Sequence, residues 1–299
     1  MQRKERFDTA DRIIRVGFWS SIILMTYKLS AGYWGHSDAV FADGIESACD
    51  FVAIFSTMIA LKVGRRPYDE QHPYGHGRAE NLSALLVSFI IFLTGCWILY
   101  SSAHALVNKE FQSPTLIAVS AAFVTIIVKE ALYRITIKTG KKLASPSLLA
   151  IATDHRKDAI TSISTLAGVG GAYFGYGFMD PLAAGITAFY ILHIGYKTFQ
   201  DAAHDLMDGS VSPEFIADVA RLAESVEHVE HVHEIKGRRS GQYVIIDLKL
   251  DMDPAMTVKE SHAVATSVKK FIFDRFTSVG DVMIHINPHE EEHEDLIRL

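Results

Sequence analysis

The sequence predicts an all-α bundle of six transmembrane helices followed by a cytoplasmic α+β domain. First, the long apolar runs fall almost entirely between residues 13 and 203 of the 299-residue chain. Second, basic and neutral loops alternate along this stretch. Third, the remainder of the chain is charged and mixes helix-like with strand-like patterns. We therefore predict a transmembrane domain over residues 1–208 and a cytoplasmic domain over residues 209–299.

Composition limits the classes of protein to consider. Hydrophobic residues make up 49% of the chain and charged residues 21%, which is too apolar for an ordinary soluble protein. The net charge of −6 argues against a nucleic-acid partner. The two cysteines, Cys49 and Cys96, both lie in apolar runs and offer no disulfide framework. The first apolar run lacks a small-residue cleavage pattern, so we predict a retained helix and not a signal peptide.

Six segments are long and apolar enough to be predicted as spans, since crossing the ~30 Å hydrocarbon core takes roughly 20 helical residues. They are residues 13–33, 38–63, 81–107, 114–137, 147–174 and 181–203. Only the third is apolar almost throughout. The others carry charged residues, which are costly in a bilayer and are expected to face the bundle interior or a water-filled path.

The distribution of Lys and Arg predicts the orientation of the chain. Basic residues cluster in the N-terminal tail, in the second loop and in the fourth loop. The first and fifth loops carry none, and the third carries only Lys109. Because cytoplasmic loops are enriched in basic residues, this alternation predicts six spans with both termini in the cytoplasm.

Two predicted spans each carry a pair of carboxylates four residues apart. Glu46 and Asp50 lie on the second span, and Asp154 and Asp158 lie on the fifth. This spacing projects both members of a pair from one helix face. Four carboxylates can enclose one dication, and either the dication or protons would remove the cost of burying bare charges. Competition between metal and protons for the same oxygens is what a metal–proton antiporter needs.

A structural interpretation of these acids stays open. They can instead form salt bridges with basic residues of the bundle such as Lys129 or Lys197. Asp43 extends the acidic stripe of the second span, and His155 follows Asp154 but is offset by about 100° around the helix. The sequence leaves the participation of Asp43 and His155 undecided.

The second loop carries a further set of candidate ligands. Asp69, His72 and His76 form a D-x-x-H-x-x-x-H pattern, and side chains of these types at this spacing can meet at one metal ion. Pro73 and Gly75 favour local turns that bring them together. The alternative is a pair of solvated or helix-capping histidines.

The C-terminal segment has the pattern of a small two-layer domain. A helix capped by Ser212 and Pro213 precedes two strands joined by Ser240–Gly241, then a second helix and a third strand. This α-β-β-α-β order fits an α+β fold. The segment is rich in histidine, which points to metal sensing, although each histidine alone also suits a solvated surface.

Four segments together match a known family: ADGIESACD, DEQHPYGHGRAE, TDHRKDAITS and VMIHINP. On these segments the chain resembles the cation diffusion facilitators over essentially its whole length. The resemblance implies a homodimer with six spans per protomer and a metallochaperone-like cytoplasmic domain. It also implies exchange of a divalent metal for protons by alternating access, in a bacterial inner membrane or an organelle membrane derived from it.

The resemblance implies metal ligands in three places. They are Glu46, Asp50, Asp154 and Asp158 within the membrane, Asp69, His72 and His76 in the loop, and His233, Asp247, His262 and His285 in the soluble domain. It also places Arg78 and Asp208 where members carry a charge pair near the dimer contact.

The chain departs from zinc-selective members, which usually carry histidine in the membrane quartet. Glu46 and Asp154 stand in its place, and carboxylates suit Mn²⁺ and Fe²⁺ better than imidazole does. We therefore predict Fe²⁺ or Mn²⁺ as the substrate, with Zn²⁺ less favoured since it also accepts carboxylates. Asn287 stands where some members have aspartate, which disfavours a binuclear soluble site and leaves a single ion on Asp247 and His285.

The predicted function is proton-coupled efflux of a divalent transition-metal ion, with the metal as substrate and regulator and protons as the counter-ion. The sequence has no P-loop and no protease or hydrolase motif, so we predict a secondary transporter and not an enzyme or an ATP-driven pump. The alternative function is a non-transporting, membrane-anchored metal sensor or scaffold that acts through the soluble domain.

Overall fold

Six long helices precede a small α/β segment. The computed structural model describes residues 3–143 and 145–289. The helices are α1 (Arg3–Trp34), α2 (Asp38–Gly64), α3 (Ala79–Asn108), α4 (Leu116–Leu143), α5 (Pro146–Tyr173) and α6 (Met179–Leu206). They are followed by α7 (Pro213–Glu224), β1 (His231–Ser240), β2 (Tyr243–Met252), α8 (Val258–Arg275) and β3 (Val279–Pro288). The predicted fold class, a helical membrane region followed by an α-β-β-α-β domain, is confirmed.

The chain divides into two compact units. The first comprises the residues up to Ser56 together with Leu86–Phe199, and the second comprises Thr57–Leu85 together with the residues from Gln200 onward. The second unit thus includes the loop between α2 and α3 as well as the C-terminal segment. The predicted boundary after residue 208 stays a prediction.

Within the described part of the chain, three helices are long and apolar enough to cross a membrane by length and composition. They are α2, α3 and residues Leu116–Lys142 of α4. The other three long helices carry more charge. In α5, for example, Asp154, Arg156, Lys157 and Asp158 all lie within one and a half turns. The presence of six long helices agrees with the predicted spans, while the count of six membrane crossings stays a prediction.

Small side chains line the interior of the first unit. One buried cluster joins α2, α3 and α6 through residues such as Ala42, Ala184 and Ala188. A second joins α1, α2, α4 and α5 through residues such as Ala31 and Ala122. Helices packed on alanine approach closely, which is how helix association is stabilised in a membrane without a hydrophobic driving force.

A carboxylate from α6 caps the start of α2. Asp180 accepts hydrogen bonds from the Ser37 hydroxyl at 2.6 Å and from the backbone N–H of Asp38 at 2.6 Å. Asp180 is buried. An anion at a helix N-terminus satisfies free N–H groups and the helix dipole, so this contact fixes the starts of α2 and α6 beside each other.

The C-terminal segment forms a three-stranded sheet in the order β1-β2-β3. β1 and β2 are antiparallel, while β2 and β3 are parallel and connected through α8. Along β2 the side chains of Val244, Ile246, Leu248 and Leu250 are buried against α7 and α8. The intervening residues of β2 therefore lie on the opposite face of the sheet.

Each helix of this segment begins with the cap that its sequence indicates. The Ser212 side chain accepts from the backbone N–H of Phe215 ahead of α7, with Pro213 in the first turn. Thr257 and Glu260 form a reciprocal capping box at the start of α8. Between the strands, Gly241 adopts a φ of 61°, which favours glycine.

The core of the sheet supports a stability prediction. Leu248 is 1% exposed, whereas Met283 is 64% exposed on the outer face of the neighbouring strand. We expect Leu248→Ala to lower the free energy of opening of β1–β3 by about 2–5 kcal/mol, because it removes buried methyl groups and leaves a cavity. Amide hydrogen exchange of the full-length protein measures this, with Met283→Ala as the control. Equal protection in both variants would contradict the assigned core.

Candidate metal sites

Glu46 and Asp50 project from the same face of α2 but differ in environment. Glu46 is 5% exposed, whereas Asp50 is exposed at the surface of the helix. Both carboxylate oxygens of Glu46 are buried without a hydrogen-bond partner among the described residues. A buried carboxylate left in this state is costly unless a cation or a proton joins it.

Asp154 and Asp158 lie in the first half of α5. The helix starts after Ser145, whose side chain accepts from the backbone N–H of Leu148. Asp154 is exposed. Asp158 accepts a hydrogen bond from Lys129 Nζ on α4 at 2.7 Å. For Asp158, the structure therefore contains the salt bridge that the structural alternative anticipates.

The two pairs of acids share one electrostatic environment. Asp50 is repelled by both Asp158 and Asp154, and Glu46 is repelled by Asp158, across the two helices. The four carboxylates do not form a group of three or more with ligand atoms within 4.8 Å of one another; among the described residues only the loop set does so. The structure thus brings the quartet to one region without gathering it tightly enough to enclose an ion.

The structure gives the two undecided residues, Asp43 and His155, surroundings of their own. Asp43 is buried and accepts from Lys28 Nζ at 3.0 Å and from the Ser162 hydroxyl at 3.2 Å. His155 is buried against α1, where a side chain at Gly17 would come within 3.2 Å of its Nε2. Asp43 is thus used by an ion pair, and His155 faces a neighbouring helix.

The loop between α2 and α3 gathers its three predicted ligands. Asp69, His72 and His76 each offer a ligand atom within 4.8 Å of the others. Asp69 lies 3.1 Å from His72 Nδ1 and 3.5 Å from His76 Nε2. The two imidazole rings are 4.3 Å apart. One carboxylate and two imidazoles at these separations match the ligand types of a transition-metal site.

Backbone contacts hold this loop in shape. His76 Nδ1 lies 3.2 Å from the carbonyl oxygen of Pro67, a contact that leaves Nε2 as the nitrogen facing Asp69. Gly75 has a φ of 80° and donates to the His72 carbonyl. His76 also lines a cavity of about 660 Å³, so the site is reached from solvent.

The end of the loop packs closely on the β1–β2 hairpin. A side-chain carbon at Gly77 would lie 2.6 Å from the Ser240 carbonyl oxygen, and one at Gly241 would lie 2.6 Å from the Gly77 carbonyl. Such separations admit only glycine at both positions. Next to this contact, Arg78 forms a salt bridge with Asp208, which Arg238 also approaches at 3.6 Å. The predicted Arg78–Asp208 pair therefore exists within one protomer.

The four predicted ligands of the soluble domain do not meet within one protomer. The register pairs Asp247 with Met283 and His285 with Lys249, so Asp247 and His285 share the outer face of the sheet. His262 is exposed on α8, in the layer that covers the opposite face. His233 sits at a bulge of β1, 3.7 Å from Asp251. Of the four, only Asp247 and His285 lie near each other, two register positions apart on adjacent strands.

Sequence reasoning missed the partners that position these acids. It named Lys129 only as one of several basic residues, and it assigned Lys28, Ser162 and Asp180 no role. A lysine in an apolar run is a usable signal, because such a charge needs a partner in the bundle. Which acid it selects depends on how the helices are packed.

Comparison with known proteins finds matches along nearly the whole chain. Residues 14–207 match the family described as the cation efflux transmembrane domain, and residues 211–289 match the cation efflux protein cytoplasmic domain. The manganese efflux system protein MneP of Bacillus subtilis is 33% identical over 96% of this chain and 99% of its own length. The magnetosome protein MamB of Magnetospirillum gryphiswaldense is 31% identical over 94% of this chain and 95% of its own.

Solved structures of the MamM CTD are also similar to part of the chain. A manganese form of a variant shares 20% identity, with a TM-score of 0.25, over 25% of this chain and 96% of that chain.

The two family matches and the similarity to MneP define a metal-ion transporter and not an enzyme. The chain belongs to the cation efflux family, the cation diffusion facilitators.

The loop supports a prediction about acidity. The backbone N–H of His72, 2.7 Å from Asp69, holds the pKa of that carboxyl below its usual value, with a smaller contribution from the His72 ring. Its contribution to loop order is thus present above the usual carboxyl pKa of about 3.9 and is lost as pH falls through the lowered value. We expect His72→Ala to keep most of the shift, because the backbone N–H remains. Carboxyl ¹³C NMR of Asp69 measures this; a full return to the usual value would refute the backbone origin.

Proposed function

We propose that the protein exports divalent Mn²⁺ or Fe²⁺ across a membrane in exchange for protons, through Glu46, Asp50, Asp154 and Asp158. The observation that carries this proposal is the carboxylate of Glu46, whose two buried oxygens have no hydrogen-bond partner among the described residues. A desolvated carboxylate needs a positive partner. A transported dication and a proton are the two partners that can arrive and leave.

The mutual repulsion of the four carboxylates supports exchange between metal and protons. The quartet repels itself across α2 and α5, so four ionised carboxylates favour a doubly charged cation. Once the cation leaves, protons restore the balance at the same oxygens. Because no three of the four carboxylates lie within 4.8 Å of one another, we expect ion binding to bring their oxygens closer through movement of side chains or of α2 and α5. That movement is the kind of change that alternating access requires.

The ligand chemistry supports Mn²⁺ or Fe²⁺ over Zn²⁺. All four membrane ligands are carboxylates, with no imidazole and no thiolate. Hard oxygen ligands suit Mn²⁺, and Fe²⁺ is intermediate. The similarity to MneP, named as a manganese efflux protein, points the same way.

The other two sets of ligands support capture and sensing of the same metal. We infer that Asp69, His72 and His76 bind an ion in the loop. On the outer face of the sheet, Asp247 and His285 form the weaker place for a single ion, and the buried Asn287 supplies no charge there. His233 and His262 lie elsewhere in the domain, so within one chain they do not ligate that ion.

The same proposal includes the organisation of the molecule. Residues 1–208 form the transmembrane domain with six spans, and residues 209–299 form the cytoplasmic domain, with both termini in the cytoplasm. The protein is a homodimer, in agreement with the match to the family's cytoplasmic domain. The membrane is the inner membrane of a bacterium or an internal membrane derived from it.

Transport in reconstituted vesicles tests the quartet. We expect a pH gradient to drive Mn²⁺ uptake into proteoliposomes containing the wild-type protein, and we expect Asp50→Ala or Asp158→Ala to abolish it. Each change removes one of four charges that hold the dication. A fluorescent metal indicator inside the vesicles measures the rate.

Glu110→Ala is the matched control, since its side chain is 67% exposed just after α3 and outside the quartet. It is expected to transport at the wild-type rate. Wild-type rates in both Asp50→Ala and Asp158→Ala would remove the quartet from consideration.

Exchanging a ligand type tests selectivity. We expect Glu46→His to raise the ratio of Zn²⁺ to Mn²⁺ transport by on the order of tenfold, because imidazole favours Zn²⁺ over the harder Mn²⁺. Initial rates with each ion alone in the same proteoliposomes give the ratio, and Glu46→Asp serves as the control that keeps an oxygen ligand. An unchanged ratio in Glu46→His would place the selectivity elsewhere.

A further inference from the structure

A lysine from a neighbouring helix forms a salt bridge with Asp158, one of the four carboxylates of the quartet. Lys129 on α4 donates to Asp158 Oδ2 at 2.7 Å and to the Ser21 hydroxyl on α1 at 3.2 Å. Its side chain is 6% exposed, and that of Asp158 is 20% exposed. The ammonium group therefore joins three helices at the transport acids.

The charge of Lys129 extends beyond its direct partner. It attracts Asp50 on α2 and Asp154 on α5 as well as Asp158. Lys157 of α5 attracts Asp50 and Asp154 more strongly than Lys129 does, but Lys129 is the lysine that donates to Asp158. An ammonium in a desolvated bundle is tolerated only where such carboxylates compensate it.

Metal and ammonium compete for the same position. An oxygen that accepts a 2.7 Å hydrogen bond from an ammonium group is not at the same time a good ligand of a dication, because the two cations repel each other. The hydrogen bond involves Oδ2 alone, so a dication bound by Oδ1 would still lie near the ammonium group and be repelled by it. Metal binding is therefore favoured when Lys129 withdraws from Asp158. The long lysine side chain permits this movement, and the Ser21 hydroxyl offers it a second hydrogen-bonding partner.

The buried salt bridge between Lys28 and Asp43 is an example of a purely structural ion pair. Its side chains are 2% and 4% exposed, and its acid lies outside the quartet. A pair of this kind can remain intact whether or not metal is bound. The Lys129 pair opposes metal binding while it is intact, because its acid is a proposed ligand.

We propose that Lys129 is a tethered counter-cation that holds Asp158 in the metal-free transporter and is displaced by the transported ion. Lys129 is a positioning residue: it lowers the equilibrium affinity for metal and helps the empty site to form after release. This inference rests on the proposed function of the quartet.

The test measures metal affinity and turnover in the same full-length protein. Mn²⁺ binding is followed by calorimetry, and Mn²⁺ transport is followed in proteoliposomes. We expect Lys129→Met to bind Mn²⁺ about tenfold more tightly, since a competing cation is removed. We also expect KM and kcat to fall together, because release from the tighter site becomes slow. Lys129→Arg, which keeps the charge, is expected to stay close to wild type in both measurements.

Control variants separate this inference from the quartet itself. Lys138→Met makes the same change at an exposed position of α4 and is expected to leave the Mn²⁺ Kd unchanged. Asp50→Asn tests the quartet: if it binds Mn²⁺ as wild type does, the proposed site is wrong whatever Lys129 does. If Asp50→Asn loses binding while Lys129→Met binds Mn²⁺ no more tightly than wild type, only the counter-cation proposal is overturned.

A folding defect is also informative. Lys129→Gln keeps a neutral hydrogen-bond donor for Asp158 and Ser21, and is expected to fold and to bind Mn²⁺ more tightly, as Lys129→Met does. If neither neutral variant folds while Lys129→Arg does, the pair is a structural salt bridge and the proposal is overturned.

Discussion

The structure depends on how the helical bundle compensates buried carboxylates. Asp43 has Lys28, Asp158 has Lys129, and Asp180 has the N-terminus of α2. Glu46 has no such partner among the described residues. A membrane protein cannot leave charges of this kind to water, so the arrangement of helices follows from where each acid finds a positive group. Under the proposed function, the acid that finds none is where the transported cation binds.

Much of the fold follows from hydrophobic pattern and turn chemistry. The apolar runs located all six long helices, and Ser212, Pro213 and the Ser240–Gly241 turn located the elements of the C-terminal domain. Helix α1 begins at Arg3, about three turns before the predicted span at residues 13–33. The charged residues before the apolar run continue the helix without contributing to its hydropathy, so hydropathy locates the span but not the start of the helix.

The candidate sites differ in how far apart in the sequence their residues lie, and this decides how well each could be predicted. Asp69, His72 and His76 lie within eight residues, and local turns suffice to gather them. The quartet depends on how α2 and α5 face each other, which the sequence indicates only through the i, i+4 spacing on each helix. The soluble-domain set was the least predictable. Whether a residue of β2, β3 or α8 faces outward depends on strand register and on which layer covers the sheet, and this separates His262 from His285.

The glycine contact between the α2–α3 loop and the β1–β2 hairpin has a mechanical consequence. With Gly77 and Gly241 in backbone-to-backbone contact, no side chain stands between the two segments to absorb a shift. A tilt of the hairpin would therefore displace the peptide next to His76. Rigid backbone contact at two glycines is thus a direct mechanical connection between the loop that carries Asp69, His72 and His76 and the sheet that carries Asp247.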